Sequence, residues 1–252
     1  MAGYYGKMPS HGDFVSRGLN PAFIRTWDDW LQEIIAYSKS QLGDAWLDVY
    51  LTSPLWRFVL SPGVCTDDAW AGVIMPSVDR VGRYFPLTVV HTLPQGYNPI
   101  QVATECRAWF QLVETLALAV LESEFERESL DRGVDALTLP PVGGSATDPA
   151  PTGEPLSGEA WRFGLHHDGL LGPVLDGFAQ RLLMERMGSY SLWWSGGSQR
   201  LTPTMLVARG LPATERFPAL LDGQWRRWGW QDSGVFAPLA DTSITSPPGA
   251  GP

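Results

Sequence analysis

The chain has 252 residues, a formal net charge of −9 and 44% hydrophobic residues. A chain of this length buries about 70–75% of the surface of its unfolded state, so its folding requires no disulfide or metal ion. The acidic charge balance argues against a nucleic acid or an anionic membrane surface as a binding partner.

The first predicted helix begins at Asn20-Pro21, where an N-cap side chain precedes proline at the first helical position. Apolar residues then recur on one face of the helix until Gly43, a typical helix stop. This face comprises Phe23, Trp27, Trp30, Leu31, Ile34 and Ile35. Three apolar runs follow, at residues 55–60, 70–75 and 85–93, and we predict that they form neighbouring antiparallel strands.

The same helix-start pattern recurs at Asn98-Pro99 and predicts a second helix that continues to about Phe125 and is deeply buried. The charged segment after it, residues 122–132, is predicted to be a solvated face, with an acidic docking patch as the alternative. Farther along the chain, we predict a helix at 173–187, strands around 189–195 and 204–208, and a short helix near 217–221.

These elements predict an α+β fold, with a mostly antiparallel sheet flanked by helices. The N-terminal α/β region occupies residues 1–135 and is followed by a Pro/Gly-rich loop at 136–159, whose composition cannot support packing. A second α/β half at 160–235 is predicted to pack in the same globular unit. The tail at 236–252 is predicted to be disordered.

Ser10, His11 and Asp13 supply the residue types of a catalytic triad within four positions. Residues adjacent in sequence rarely converge as a triad requires, and Ser10 does not lie in a GxSxG turn that would expose a nucleophile. We therefore predict a polar turn, in which Ser10 or Asp13 hydrogen-bonds to nearby backbone amides, and no catalytic residues.

Two further motifs fail as ligand sites. Gly6-Lys7 suggests a phosphate-binding loop, but the spacing to Gly3 is too short and no Ser or Thr follows the lysine. His166-His167-Asp168 could ligate a metal ion, but no HExxH motif or cysteine pair accompanies it, and a surface turn is the favoured interpretation. We therefore expect neither a cofactor nor a metal. The two cysteines, Cys65 and Cys106, lack CxxC spacing and are predicted to be reduced.

The sequence also predicts a soluble, cytoplasmic chain. The N-terminus has no charged and then apolar leader segment, and polar residues occupy the positions of a signal core. No apolar run approaches the roughly 20 residues of a membrane span, so membrane insertion is not expected.

The segment MPSVDRVGRYFPL, residues 75–87, places two arginines and an aspartate between two predicted strands. In a structural interpretation, Asp79 forms an ion pair with an arginine and braces the turn, while Gly82 supplies an unusual backbone conformation. In a functional interpretation, Arg80 and Arg83 form a surface for a carboxylate or phosphate of a partner. The sequence leaves both interpretations open.

Three blocks of the sequence resemble the TagF (ImpM) family, which accompanies bacterial type VI secretion systems. They are GYYGKMPSHGDFVSRGLNPAFIRTWDDWLQ, YLTSPLWRFVLSPGVC and WAGVIMPSVDRVGRYFPLTV, and the later SLWWS and GLPATERFPALL are also similar. The resemblance covers residues 3–222 apart from the Pro/Gly-rich loop.

The resemblance implies a longin-like core with a second α/β half and no enzymatic residues. It also implies an accessory regulator that represses type VI secretion after translation by binding a cytoplasmic component, the scaffold protein with a forkhead-associated domain. Some relatives carry a fused serine/threonine phosphatase domain, whose paired aspartate motifs do not occur in this sequence. The alternatives are a structural subunit of the secretion machine and a hydrolase that uses His11 or His166 with a nearby carboxylate.

Without catalysis, repression depends on occupancy of the partner, and its size is limited by the difference in affinity for the partner's two states. Polar residues of the family motifs, and tryptophans expected to be exposed, are the candidates for partner binding or for internal ion pairs. These candidates are Asp13, Arg17, Asp79, Arg80, Arg83, Trp193 and Trp194.

Overall fold

The chain builds one sheet of seven antiparallel strands with helices on both faces. A computed structural model describes residues 1–122, 124–142, 154–156, 160–162 and 171–231. The strands are β1 (Ala2–Gly6), β2 (Val15–Arg17), β3 (Trp56–Leu60), β4 (Trp70–Met75), β5 (Leu87–Thr92), β6 (Glu154–Leu156), β7 (Ala160–Arg162), β8 (Tyr190–Ser195) and β9 (Thr204–Arg209). Their order in the sheet is β2-β1-β5-β4-β3-β8-β9, with β6 and β7 paired separately. This architecture confirms the predicted α+β class.

Two of the seven helices in the described residues begin at asparagine caps. The helices are α1 (Pro21–Leu42), α2 (Trp46–Leu51), α3 (Pro99–Glu105), α4 (Arg107–Ala119), α5 (Arg127–Ala136), α6 (Gly172–Met187) and α7 (Pro218–Asp222). The side chains of Asn20 and Asn98 accept hydrogen bonds from the backbone N–H groups of Ala22 and Ile100, at 2.8 and 2.9 Å. Within the described residues, no helix is both long and apolar enough to cross a membrane.

Side chains alternate along the strands between two apolar layers. On β4, Trp70 and Ile74 face the layer formed with α1 and α7, whereas Val73 and Met75 face the layer formed with α4 and α5. The first layer is rich in aromatic rings: Phe23, Trp27, Trp30, Trp56, Phe58, Trp70, Trp193 and Phe217. Many of the tryptophans of the chain are thus core residues.

The prediction for residues 98–132 was wrong in two respects. Cys106, with φ −88° and ψ 34°, separates α3 from α4, so the expected single helix is broken. The charged segment is not solvated throughout, because it continues into α5, which buries Leu130 and Val134 beside α4. The acidic side chains nevertheless lie on a solvated face, as predicted: Glu122, Glu124, Glu126 and Glu128 are exposed.

The C-terminal half extends the N-terminal sheet. Strand β8 pairs with β3, with Phe58 opposite Trp193, and β9 pairs with β8. Strands β1 and β2 were not predicted, although β1 lies inside the sheet between β2 and β5. Most of the predicted loop at 136–159, and the whole of the predicted tail at 236–252, lie outside the described residues.

Candidate functional site

Two loops lie side by side at one end of the sheet. Residues 7–14 connect β1 to β2, and residues 76–86 connect β4 to β5. Their strands are adjacent, because Gly6 at the end of β1 pairs with Leu87 at the start of β5. Gly6 has φ +142°, and a Cβ atom there would lie 2.1 Å from the carbonyl oxygen of Pro86. Only glycine permits this close approach. We call residues 7–14 and 76–86 the paired-loop surface.

Hydrogen bonds tie the two loops together. The backbone N–H of Arg80 donates to the carbonyl oxygen of His11 at 2.9 Å, and the Ser77 hydroxyl donates to the carbonyl oxygen of Lys7 at 2.7 Å. The hydroxyl of Tyr50 on α2 donates to the carbonyl oxygen of Ser77 at 3.0 Å. The paired-loop surface therefore rests on a hydrogen-bonded base that α2 also supports.

A buried carboxylate forms the centre of this base. The Asp79 side chain has no exposed surface, and its Oδ2 accepts from Lys7 Nζ at 2.8 Å and from Arg83 Nε at 2.6 Å. Its Oδ1 accepts from the backbone N–H groups of Val81 at 3.0 Å and Arg83 at 2.8 Å. Burial alone would raise the pKa of this carboxyl, but these hydrogen bonds outweigh burial and hold the pKa well below its usual range.

The turn between Asp79 and Arg83 has the conformation that the structural interpretation predicted. The backbone N–H of Asp79 donates to the carbonyl oxygen of Arg83, and the N–H of Gly82 donates to the carbonyl oxygen of Asp79, both at 3.0 Å. Gly82 has φ +86°, in the region that favours glycine. Asp79 is thus a brace for the loops and has no surface available for a partner.

The outer side of the paired-loop surface carries both apolar and cationic groups. Val81 is 65% exposed and Phe14 is 43% exposed, although both are large hydrophobic residues. Arg80 is exposed, and its guanidinium lies close to Gly12. The Arg83 guanidinium, which is 56% exposed, also donates to the carbonyl oxygen of Gly12. Exposed apolar groups beside arginines are typical of a protein-binding surface.

The Phe14 ring is held in place despite its exposure. It stacks on Tyr5 with ring centroids 5.7 Å apart and meets Phe85 edge-on at 4.8 Å. The Lys7 ammonium lies 5.0 Å from its centroid. A partner that contacts Phe14 would find a ring that is already ordered, which lowers the entropic cost of binding.

Ser10, His11 and Asp13 do not form a catalytic chain of hydrogen bonds. Ser10 Oγ lies 3.2 Å from His11 Nδ1, but the Asp13 carboxylate accepts from the backbone N–H of Phe14 at 2.8 Å. In the part of the chain that the structure describes, no hydrogen bond joins Asp13 to His11. These contacts match the predicted polar turn.

The described residues contain no group of three or more His, Cys, Asp or Glu side chains that could hold a metal ion. The predicted surface turn at His166-His167-Asp168 lies outside them.

The remaining candidate residues form contacts within the protein itself. Arg17 on β2 donates to Asp135 Oδ2 at 2.9 Å and to the carbonyl oxygen of Asp131 at 2.8 Å, so it fastens α5 to the sheet. Trp193 has no exposed surface, which corrects its expected role as an exposed contact residue. Trp194 is half-buried and meets Phe110 edge-on at 4.8 Å.

A small apolar cavity lies behind the paired-loop surface. Its lining includes Pro76, Pro86, Tyr50, Trp56 and Leu220, and its volume is about 30 Å³. Pockets that bind small molecules usually enclose about 300–1,000 Å³, so this cavity is too small for such a ligand.

Two comparisons with known proteins found similarity. The model of the TagF N-terminal domain, described as type VI secretion system-associated, matches residues 3–137, which include the whole paired-loop surface. The crystal structure of PA0076 from Pseudomonas aeruginosa PAO1 is similar, with 36% sequence identity and a TM-score of 0.78. The similarity covers 95% of this chain and 100% of that chain. No curated protein matches the sequence significantly.

Proposed function

The chain belongs to the TagF family of type VI secretion-associated proteins, and from this premise we propose that it is a non-enzymatic regulator that represses secretion. It acts after translation, in the cytoplasm, by binding a component of the secretion system. The component in this proposal is the scaffold protein with a forkhead-associated domain. The observation that supports binding is the exposure of Phe14 and Val81 beside Arg80 and Arg83 on a braced surface.

The paired-loop surface has the composition of an interaction centre. Arginine and aromatic side chains contribute most of the binding energy in many protein interfaces. Arg80 and Arg83 can each present several N–H donors to a carboxylate, while Phe14 and Val81 supply apolar area beside them. The Lys7–Asp79–Arg83 base holds Arg83 in one arrangement before the partner arrives.

Repression by occupancy sets a requirement on affinity. At a free concentration about 100 times its Kd, the regulator stabilises the bound state of its partner by about 2.7 kcal/mol. This stabilisation leaves about 1% of the partner free to assemble. The regulator must bind the assembly-incompetent state more tightly than the assembled state, because equal affinity would shift neither population.

Charge reversal at Arg80 tests the surface. We expect Arg80→Glu to weaken binding to the purified scaffold protein at least about 10-fold, as measured by titration calorimetry. The free energy of unfolding should change by less than about 0.5 kcal/mol, because the Arg80 side chain is exposed and does not contribute to the Asp79 ion pairs.

The matched control is Arg25→Glu on the exposed side of α1, which makes the same charge change at a position outside both loops. Equal losses of affinity in the two variants would show that the loss depends only on the net charge of the chain, and would contradict the proposed surface. Arg83→Glu is a less selective variant, because it places a carboxylate beside buried Asp79 and should also lower stability.

A further inference from the structure

Residues 216–231, which we call the Arg–Trp segment, carry more arginines than acidic residues, although Glu215 directly precedes the segment and Asp232 directly follows it. The segment contains Arg216, Arg226 and Arg227 but only one acidic residue, Asp222, in a chain with a net charge of −9. It also contains three tryptophans, Trp225, Trp228 and Trp230. It includes α7 and the residues that follow this helix, and α7 lies on the sheet face opposite α4.

Hydrogen bonds anchor the tryptophan rings of this segment. Trp228 Nε1 donates to Asp222 Oδ2 at 2.8 Å, and Trp230 Nε1 donates to the carbonyl oxygen of Arg216 at 2.9 Å. The Trp225 ring meets the Trp230 ring edge-on, with centroids 5.8 Å apart. Trp225 and Trp230 therefore pack against each other, and the hydrogen bond to Asp222 holds the Trp228 ring separately.

Two arginines lie over tryptophan rings of this segment, and their charged groups are at the surface. The Cζ atom of Arg227 lies 4.6 Å from the Trp228 ring centroid, and that of Arg216 lies 6.0 Å from the Trp230 centroid. Both residues are exposed, and no ion pair joins either one to an acidic side chain within the described residues. A guanidinium placed over an aromatic ring keeps its in-plane N–H donors available for a carboxylate.

The nearest acidic group of the segment does not neutralise these arginines. Asp222 is buried, and its carboxylate already accepts hydrogen bonds from Trp228 Nε1 and from the backbone N–H of Gln224. An open hollow lies next to Arg227 and is lined by Gly223, Gln224 and Trp225 together with Arg226 and Arg227. The surface thus combines cationic groups, aromatic edges and space for a bound chain.

We propose that the Arg–Trp segment binds an acidic segment of a partner protein. The guanidinium groups of arginines pair with carboxylates in a bidentate geometry, and aromatic side chains beside them add apolar contact. A long polyanion such as a nucleic acid fits less well, because the net charge of −9 repels it beyond the segment. This inference goes beyond the proposed function and does not depend on it.

Binding of a fluorescent peptide of about ten glutamates to the full chain, followed by anisotropy at about 0.1 M salt, tests the proposal. We expect the wild-type chain to bind the peptide and Arg216→Glu/Arg227→Glu to weaken binding at least about 10-fold. The control Arg25→Glu/Arg107→Glu makes the same change in net charge at two exposed positions outside the segment. It should retain affinity within about 2-fold.

A second variant, Arg227→Gln, tests the proposal if the double variant does not fold. It should weaken binding of the peptide about 3-fold or more. The proposal is overturned if the wild-type chain does not bind the peptide, or if the control pair loses as much affinity as the segment pair. It is also overturned if an oligothymidylate of matched charge, or vesicles rich in phosphatidylserine, bind more tightly than the peptide at the same salt concentration.

Discussion

Replacement of Asp79 by alanine is expected to lower the free energy of unfolding by about 3–5 kcal/mol. The substitution removes the carboxylate that pairs with Lys7, whose side chain is only 6% exposed. It also removes the acceptor for the backbone N–H groups of Val81 and Arg83. A buried ammonium without its counter-charge, together with unsatisfied donors, is among the most destabilising changes in a folded protein.

Urea denaturation of the wild-type chain and the variant measures this effect. Arg83→Ala is the matched control, because it removes the other cation of the cluster from a side chain that is 56% exposed. We expect this control to cost about 0–1 kcal/mol, as exposed ion pairs usually do. Equal losses in the two variants would show that the Lys7–Asp79 pair does not brace the loops.

The same carboxylate makes stability depend on pH. Burial opposes ionisation of Asp79, but the hydrogen bonds from Lys7, Arg83 and Val81 lower its pKa below the value of about 3.9 in unfolded chains. Its stabilising contribution is therefore present above about pH 4 and declines as the pH falls towards the folded-state pKa. The stability difference between the wild-type chain and Asp79→Asn should shrink as the pH falls below about 4 and continue to shrink below about pH 3. A constant difference would contradict this assignment.

Replacement of Trp193 by alanine is expected to lower the free energy of unfolding by about 3–5 kcal/mol, because it leaves a large cavity in the aromatic layer. Trp193 is fully buried, stacks with Trp27 at 6.1 Å between ring centroids and lies 5.0 Å from the Phe58 centroid. Its Nε1 donates to Ser191 Oγ at 2.8 Å. The loss should be measurable by urea denaturation.

Trp194→Ala provides the comparison on the next position of the same strand. Trp194 is half-buried and faces the opposite layer, so its replacement should cost less than that of Trp193. If Trp193→Ala instead kept its stability and lost only partner binding, Trp193 would be a contact residue, and the aromatic layer would not depend on it.

Local sequence signals predicted much of the fold. The Asn-Pro pairs at 20–21 and 98–99 start helices because the asparagine side chain caps the first turn. Proline is tolerated at the first helical position, since the backbone N–H there has no partner within the helix. The runs at 55–60 and 70–75 form strands almost at their predicted bounds. These features depend on neighbouring residues alone, so the sequence shows them directly.

Features that depend on distant contacts were not predicted. Strand β2 has only three residues and is fixed by pairing with β1, so it lacks a periodic pattern of its own. Helix α5 buries only Leu130 and Val134, and half of its ten residues are charged, which suggested a solvated segment. Its attachment relies on Arg17, 118 positions from its partner Asp135 in sequence.

The candidate site shows the same division. The sequence identified Asp79, Arg80 and Arg83 as candidate residues. It did not show that the Asp79 carboxylate is buried whereas Arg80 is exposed. The missing information is the contact with Lys7, 72 positions away. Phe14 and Val81 were not among the candidate residues. Both are apolar residues in loops that contain glycine and proline, and this pattern could have predicted their exposure.

The central claim, repression of type VI secretion, is tested most directly by the amount of tube protein that a deletion strain releases into the medium. The strain is compared with its parent under conditions in which secretion is quiet. We expect release to rise in the deletion strain, to return to the parental level with the wild-type gene and to remain raised with Arg80→Glu. Unchanged release, with lower secretion under inducing conditions, would contradict the account and indicate a structural or catalytic role in the machine.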